Sequence, residues 1–252
     1  MAASLVDVAL RLRPDGDGSG GRVSDETIAA VLLIAVPIAF NVTFTMLGMS
    51  FRYPAILREP PGQILTAFTA GGTGLVLRWW AFALTALAML PLVVCFGSLF
   101  AATGGTLVVL TIFVGALAGL VQALGLMRWP FLVPTLARRY ASASTPAERT
   151  SIETIFEVVH RYLGVGIGEH MGYLLTGSWT VLTGLLILSS PLLPVWLGWL
   201  ALPIGVALLL GSLEFVGANE PRGWSVADKV TPIAYIAWSL WLMGCGVLLL
   251  VT

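Results

Sequence analysis

Four side chains in one stretch of the sequence have the types that hold metals or carry protons: Glu157, His160, Glu169 and His170. Glu157-Val-Val-His160 has the Glu-x-x-His spacing of carboxylate-bridged di-metal bundles, which places both groups on one face of a helix. Such a bundle needs a second copy of the motif. The other histidine, His170, has Ile167 three residues before it, so no second copy exists. A bis-histidine haem needs ligands on opposite sides of a plane, whereas these two histidines would share one helix about 15 Å apart. Glu157, His160 and His170 are therefore weak metal candidates. No cofactor is predicted, with haem or a metal ion left open.

The surroundings of Glu169 and His170 are apolar enough to make them unusual. A helix starting its crossing near Leu163 carries them about 9–11 Å into the bilayer. There an ionised group costs roughly 2.5 kcal/mol or more unless it finds a partner or a water-filled cavity. Around them Gly164, Gly168, Gly172 and Thr176 form a small-residue stripe that lets another helix approach closely. One reading is a packing seam with a polar clasp, Glu169 accepting hydrogen bonds from Arg78, Arg128 or a serine. The other is a ligand-binding or polar cluster of Arg78, Arg128, Glu157, His160, Glu169, His170 and Glu214, with Asn41 as a further member from mid-span. No catalytic residue is identified. Walker, Gly-x-Ser-x-Gly and His-Glu-x-x-His signatures are absent. Cys95 and Cys245 lie inside apolar spans and are expected to be free thiols.

The elements that must position these residues follow from the distribution of charge. Only 10% of the chain is charged, mean hydropathy is +0.93 and net charge is zero, which argues for a membrane protein and against disorder, a disulfide scaffold or a nucleic-acid partner. No Asp, Glu, Lys or Arg occurs in 27–51, 79–127, 171–213 or 230–252. A span needs about 20 apolar residues, so these windows hold one, two, two and one helices. The turns Ala101-Ala-Thr-Gly-Gly105 and Ser189-Ser-Pro-Leu-Leu-Pro194 divide the long windows. The fold class expected is all-α: a polytopic membrane protein with six transmembrane helices in antiparallel hairpins, plus one or two short interfacial amphipathic helices. Residues 1–23 read as a mobile N-terminal tail without the apolar core of a cleavable signal, and 24–252 as the transmembrane domain.

Ser24 is a candidate N-cap for the first span, and the others are expected at about 76–101, 105–127, 163–189, 192–215 and 230–251. Ten basic residues, from Arg52 to Lys229, fall in the three long loops, against Arg11, Arg13 and Arg22 on the other side. The positive-inside rule then puts the loops in the cytoplasm and both termini outside the inner membrane. Apolar residues 64, 65 and 68 predict a short amphipathic helix starting at Pro60 or Pro61. Thr145-Pro-Ala-Glu148 is a capping box that starts another helix, one that either runs into span four or bends at the glycines. Trp79, Trp80, Trp129, Trp196, Trp199 and Trp224 fall near expected helix ends, as anchors or packing residues. Arg138-Arg139-Tyr140 reads as a membrane-surface anchor.

Tyr53-Pro-Ala-Ile-Leu57, Gly168-Glu-His-Met-Gly-Tyr-Leu-Leu-Thr-Gly-Ser-Trp179, Leu197-Gly-Trp-Leu200, Leu213-Glu214 and Pro232-Ile-Ala-Tyr-Ile-Ala-Trp-Ser-Leu-Trp241 together resemble a family of uncharacterised bacterial membrane proteins, domain of unknown function 4386. The resemblance runs from about residue 27 onward and implies a six-helix integral membrane protein, with no activity attached. The function expected is binding or moving a small or lipid-like ligand at the cytoplasmic end of spans two, four and five. An intramembrane metal- or haem-dependent redox enzyme and a structural subunit of a membrane complex are the alternatives. The partners expected are the lipid bilayer and a lipid or small apolar ligand, with self-association or a complex partner left open.

Overall fold

The computed structural model describes residues 24–103, 105–219 and 222–251; the tail expected over 1–23 lies outside them. Every regular element among the described residues is helical. The helices are α1 (Asp25–Phe51), α2 (Pro61–Ser98), α3 (Thr106–Phe131), α4 (Val133–Ser142), α5 (Pro146–Val159), a π-helical segment (His160–Met171), α6 (Gly172–Leu188), α7 (Val195–Gly211) and α8 (Ser225–Val251).

Local chemistry accounts for the ends. Ser24 Oγ accepts from the Thr27 amide at 3.1 Å, satisfying a donor that the first turn of α1 leaves open. Thr145 and Glu148 form the reciprocal capping box at α5, with Pro146 at the first helical position where no amide is needed. The amphipathic helix expected near Pro60 begins at Pro61 and is set off from the span by a break in helical geometry. The break is at Gly72, whose φ of 55° and ψ of −157° only glycine adopts cheaply, so α2 is two helices joined at a kink. Ile64, Leu65 and Phe68 are buried, as their spacing predicts. The helix begun at Thr145 runs on into α6 through the π-helical segment instead of breaking at Gly164, Gly166 or Gly168.

Among the described residues, five helical stretches are long and apolar enough to cross a membrane: Asp25–Phe51, Pro61–Ser98, Thr106–Ser142, Pro146–Leu188 and Ser225–Val251. The chain is a multi-pass membrane protein. The remaining apolar helix, α7, has 17 residues. At about 1.5 Å per residue it reaches roughly 25 Å, short of the ~30 Å hydrocarbon core.

α1 packs on α2 and α8, α2 on α3, α3 on the π-helical segment and α6, and α7 between α6 and α8. Two buried clusters result. One, around Leu33, Phe96, Trp179, Trp238 and Trp241, joins α1, α2, α6 and α8. The other, around Phe51, Trp79, Trp129 and Phe156, joins the loop-side ends of α1 to α3 with α4 and α5. Trp79 and Trp129, expected near helix ends, pack in this second cluster, because α2 and α3 both extend beyond the charge-free windows. They are fully buried and stacked, with ring centroids 4.4 Å apart and planes at 9°. Trp80, Trp196 and Trp199 stay exposed on the outer surface. Cys95 and Cys245 are free thiols.

Candidate functional site

The small-residue stripe meets α3. A Cβ on Gly125 would lie 2.6 Å from the Gly168 Cα, so the two backbones touch, and one on Gly172 would lie 2.7 Å from Gln122 Cγ. Gln122 Nε2 donates to Thr176 Oγ1 at 3.0 Å, extending the contact one turn deeper. This close approach holds the π-helical segment against α3. A π turn is uncommon and costs helix regularity, and such turns recur at functional sites. Here it carries both Glu169 and His170.

Two adjoining cavities open beside this seam. The inner one, about 210 Å³, is walled by α1 (Phe40, Asn41, Phe44), α2 (Phe82, Thr85, Met89), α3 (Gln122, Arg128, Trp129), the π-helical segment (Gly164, Gly168, Glu169) and α8 (Thr231, Tyr235, Trp238). The outer one, about 500 Å³, is a charged vestibule that includes Arg58, Glu59, Glu157, His160, Arg161, Glu214 and Asp228. Tyr53, Pro54, Glu169, Tyr173, Thr231 and Pro232 border both. Glu169 therefore stands at the junction, and it has no hydrogen bond or ion pair from its carboxylate among the described residues.

Arg128 is the basic group of the inner cavity and is only 6% exposed. Its Nη1 donates to the Gly125 carbonyl, Nη2 lies 3.4 Å from His160 Nδ1, and Nε has no partner. Its Cζ sits 5.2 Å from the Trp129 ring centroid, a cation–π arrangement. Gly164 makes room for it: a Cβ there would lie 2.5 Å from Nη2. Arg128 forms no ion pair among the described residues. Asn41 donates to the Pro37 carbonyl at 2.7 Å and to Ser239 Oγ at 2.9 Å, tying α1 to α8 at the cavity wall.

The residues singled out in the sequence thus separate. Arg128 and Glu169 line the inner cavity; Glu157, His160, Glu169 and Glu214 line the vestibule; Arg78 and His170 border neither. His170 Nδ1 pairs with the Ser212 carbonyl at 2.7 Å, which fastens the π-helical segment to the end of α7. His160 stacks on Phe156, with centroids 5.4 Å apart and planes at 11°. The two histidines face different neighbours, and among the described residues no three His, Cys, Asp or Glu side chains converge as metal ligands. The inner cavity draws on α1, α3 and α8 as well as α2, while the span-five end adds Glu214 and Phe215 to the vestibule alone.

Some lining residues escaped the sequence reading. Tyr53, Tyr173, Gln122 and Tyr235 are uncharged, so a search keyed to Asp, Glu, Lys and Arg passes over them. Gln122 in a window without charges was the available signal. Arg58 and Asp228 were also outside the nominated residues; they pair with each other, and Arg58 also reaches Glu214 at 3.4 Å.

The model of a family described as a domain of unknown function, DUF4386, matches residues 28–250, and the chain belongs to that family. No curated protein and no solved structure matches it.

Proposed function

We propose that this member of the family binds or moves a small or lipid-like ligand, without catalysing a reaction, at the junction of the two cavities. The observation that carries this reading is an aromatic chamber inside the bundle that meets a charged vestibule at Glu169. Ligand sites of membrane bundles sit between helices, with few polar groups fixing orientation inside an apolar wall. A carboxylate and a guanidinium at that depth are a functional site by default.

In this proposal six helices cross the bacterial inner membrane in antiparallel hairpins, α7 being the short sixth. The vestibule faces the cytoplasm and both termini face outward, following the excess of basic residues in the long loops.

Ala86 lines the inner cavity and is almost fully buried, so Ala86→Phe fills the chamber without touching a charge. Solvent extraction of purified protein followed by mass spectrometry should recover a bound small molecule or lipid at about one per chain from the wild type and much less from Ala86→Phe. Equal recovery from both, or none from either, contradicts the proposal. Single cysteines in the loop 52–60 and near Thr252, labelled in intact cells by an impermeant reagent, test the topology: the terminus should react and the loop should not.

A further inference from the structure

The two charged groups of the inner cavity narrow the ligand's chemistry, an argument that rests on the ligand-binding proposal above. Arg128 cannot shed its proton at any ordinary pH, so its burial calls for a negative counter-charge or a full set of acceptors. Neither is supplied among the described residues. Nη1 has a carbonyl, Nη2 faces an imidazole nitrogen and Nε has nothing. The guanidinium is nevertheless held in place, between the Trp129 ring and the space left by Gly164.

Glu169 is on the wall of the same cavity, and the two do not form an ion pair. Opposite charges around a chamber of about 210 Å³ would ordinarily close on each other. Here each is held back: Arg128 by its Gly125 contact, and Glu169 by a π-helical segment whose Gly168 backbone is pressed against Gly125. A neutral ligand would leave Arg128 uncompensated, and would leave the Glu169 carboxyl to protonate instead of ionise. An anion would satisfy Arg128 but meet Glu169, and a cation would do the reverse. The aromatic rings of Tyr53, Tyr173 and Phe44 on the wall suit an ammonium, whose charge is drawn to a ring face. The volume is below the roughly 300–1,000 Å³ of drug-sized pockets, which fits a small solute or a headgroup and not a whole lipid.

We propose that the inner cavity binds a zwitterionic group, its anionic end on Arg128 and its ammonium end on Glu169 among the tyrosine and phenylalanine rings. Such a group is presented either by a free solute or by a lipid headgroup with its chains directed outward between helices.

The test uses purified full-length protein. Calorimetric titration in neutral detergent compares phosphoethanolamine with inorganic phosphate and with ethanolamine. Native mass spectrometry from nanodiscs compares retention of phosphatidylethanolamine with phosphatidylglycerol. The zwitterion should bind at least about tenfold more tightly than either half-molecule, or its lipid form should be retained preferentially. Titration alone points to a free solute, and retention alone to a headgroup. Glu169→Gln should abolish the preference over phosphate while leaving phosphate binding intact. Arg128→Lys, which keeps the charge, should retain more zwitterion binding than Arg128→Gln. Thermal unfolding of each variant identifies any that fails to fold, and the probe comparison on wild type stands without them. Binding of phosphate or phosphatidylglycerol as tight as that of the zwitterion, or an unchanged preference in Glu169→Gln, overturns the proposal. If no probe binds but another species co-purifies and is expelled by Ala86→Phe, the zwitterion assignment falls and ligand binding stands. If nothing is retained at all, both fall.

Discussion

The vestibule and the inner cavity handle arginine in opposite ways. Arg58, with its side chain 55% exposed, engages Asp228 and reaches Glu214, and the hydrogen bond to Asp228 pushes its guanidinium above the ordinary arginine range. Arg128, 6% exposed, has no carboxylate paired with it among the described residues, although Glu169 shares its cavity. Exposed ion pairs contribute about 0–1 kcal/mol, while an unpaired buried charge costs several. The molecule pairs its charges where pairing matters least and leaves them unpaired where it matters most. That contrast separates the charged rim from the chamber in which we propose that a ligand binds.

The sharpest way to break the contrast is to remove the support behind Trp129, whose ring holds Arg128. Trp79 is fully buried against Trp129, so Trp79→Ala should cost about 3–5 kcal/mol, measured by thermal unfolding in detergent, and should reduce ligand retention. Next is Gly125→Val, whose Cβ would meet the Gly168 Cα at 2.6 Å. Backbone cannot yield as a side chain does, and a loss of about 1–3 kcal/mol is expected; a Tm equal to that of the wild type would show that the seam is loose. Thr145→Ala removes the capping-box acceptor at α5, for about 1 kcal/mol, visible as faster hydrogen exchange in the first turn of α5 with the inner cavity unaffected. The smallest effect belongs to the vestibule. Asp228→Asn should cost under about 1 kcal/mol and should matter less as salt is raised. A vestibule substitution that destabilised the protein as much as Trp79→Ala would erase the distinction between the two regions.

The sequence reveals the parts of this arrangement that depend on local chemistry or on segregation of charge. Ser24, Thr145 and the turns at 101–105 and 189–194 are visible because caps and breakers act within a few residues. The glycine stripe at 164, 168 and 172 announces a close helix contact, but its partner, Gly125 on α3, depends on how the bundle closes. The π-helical segment was invisible because a wider turn leaves no composition signature beyond alternate glycines. The sequence singles out Glu169 by its depth and offers Arg128 as one of several partners for it, beside Arg78 and a serine. That they share a cavity without pairing is a tertiary property, set by the Gly125–Gly168 contact and the space at Gly164. Arg78 looked equivalent to Arg128 in sequence; it lies on a face of α2 that borders neither cavity.

The central claim is that Arg128 and Glu169 are kept apart to receive a ligand between them. A high-resolution density map of the protein in lipid nanodiscs tests it most directly. Non-protein density should bridge the Arg128 guanidinium and the Glu169 carboxylate inside the Phe40, Phe44 and Phe82 wall. A direct Arg128–Glu169 ion pair with no room for a bridging molecule would contradict it.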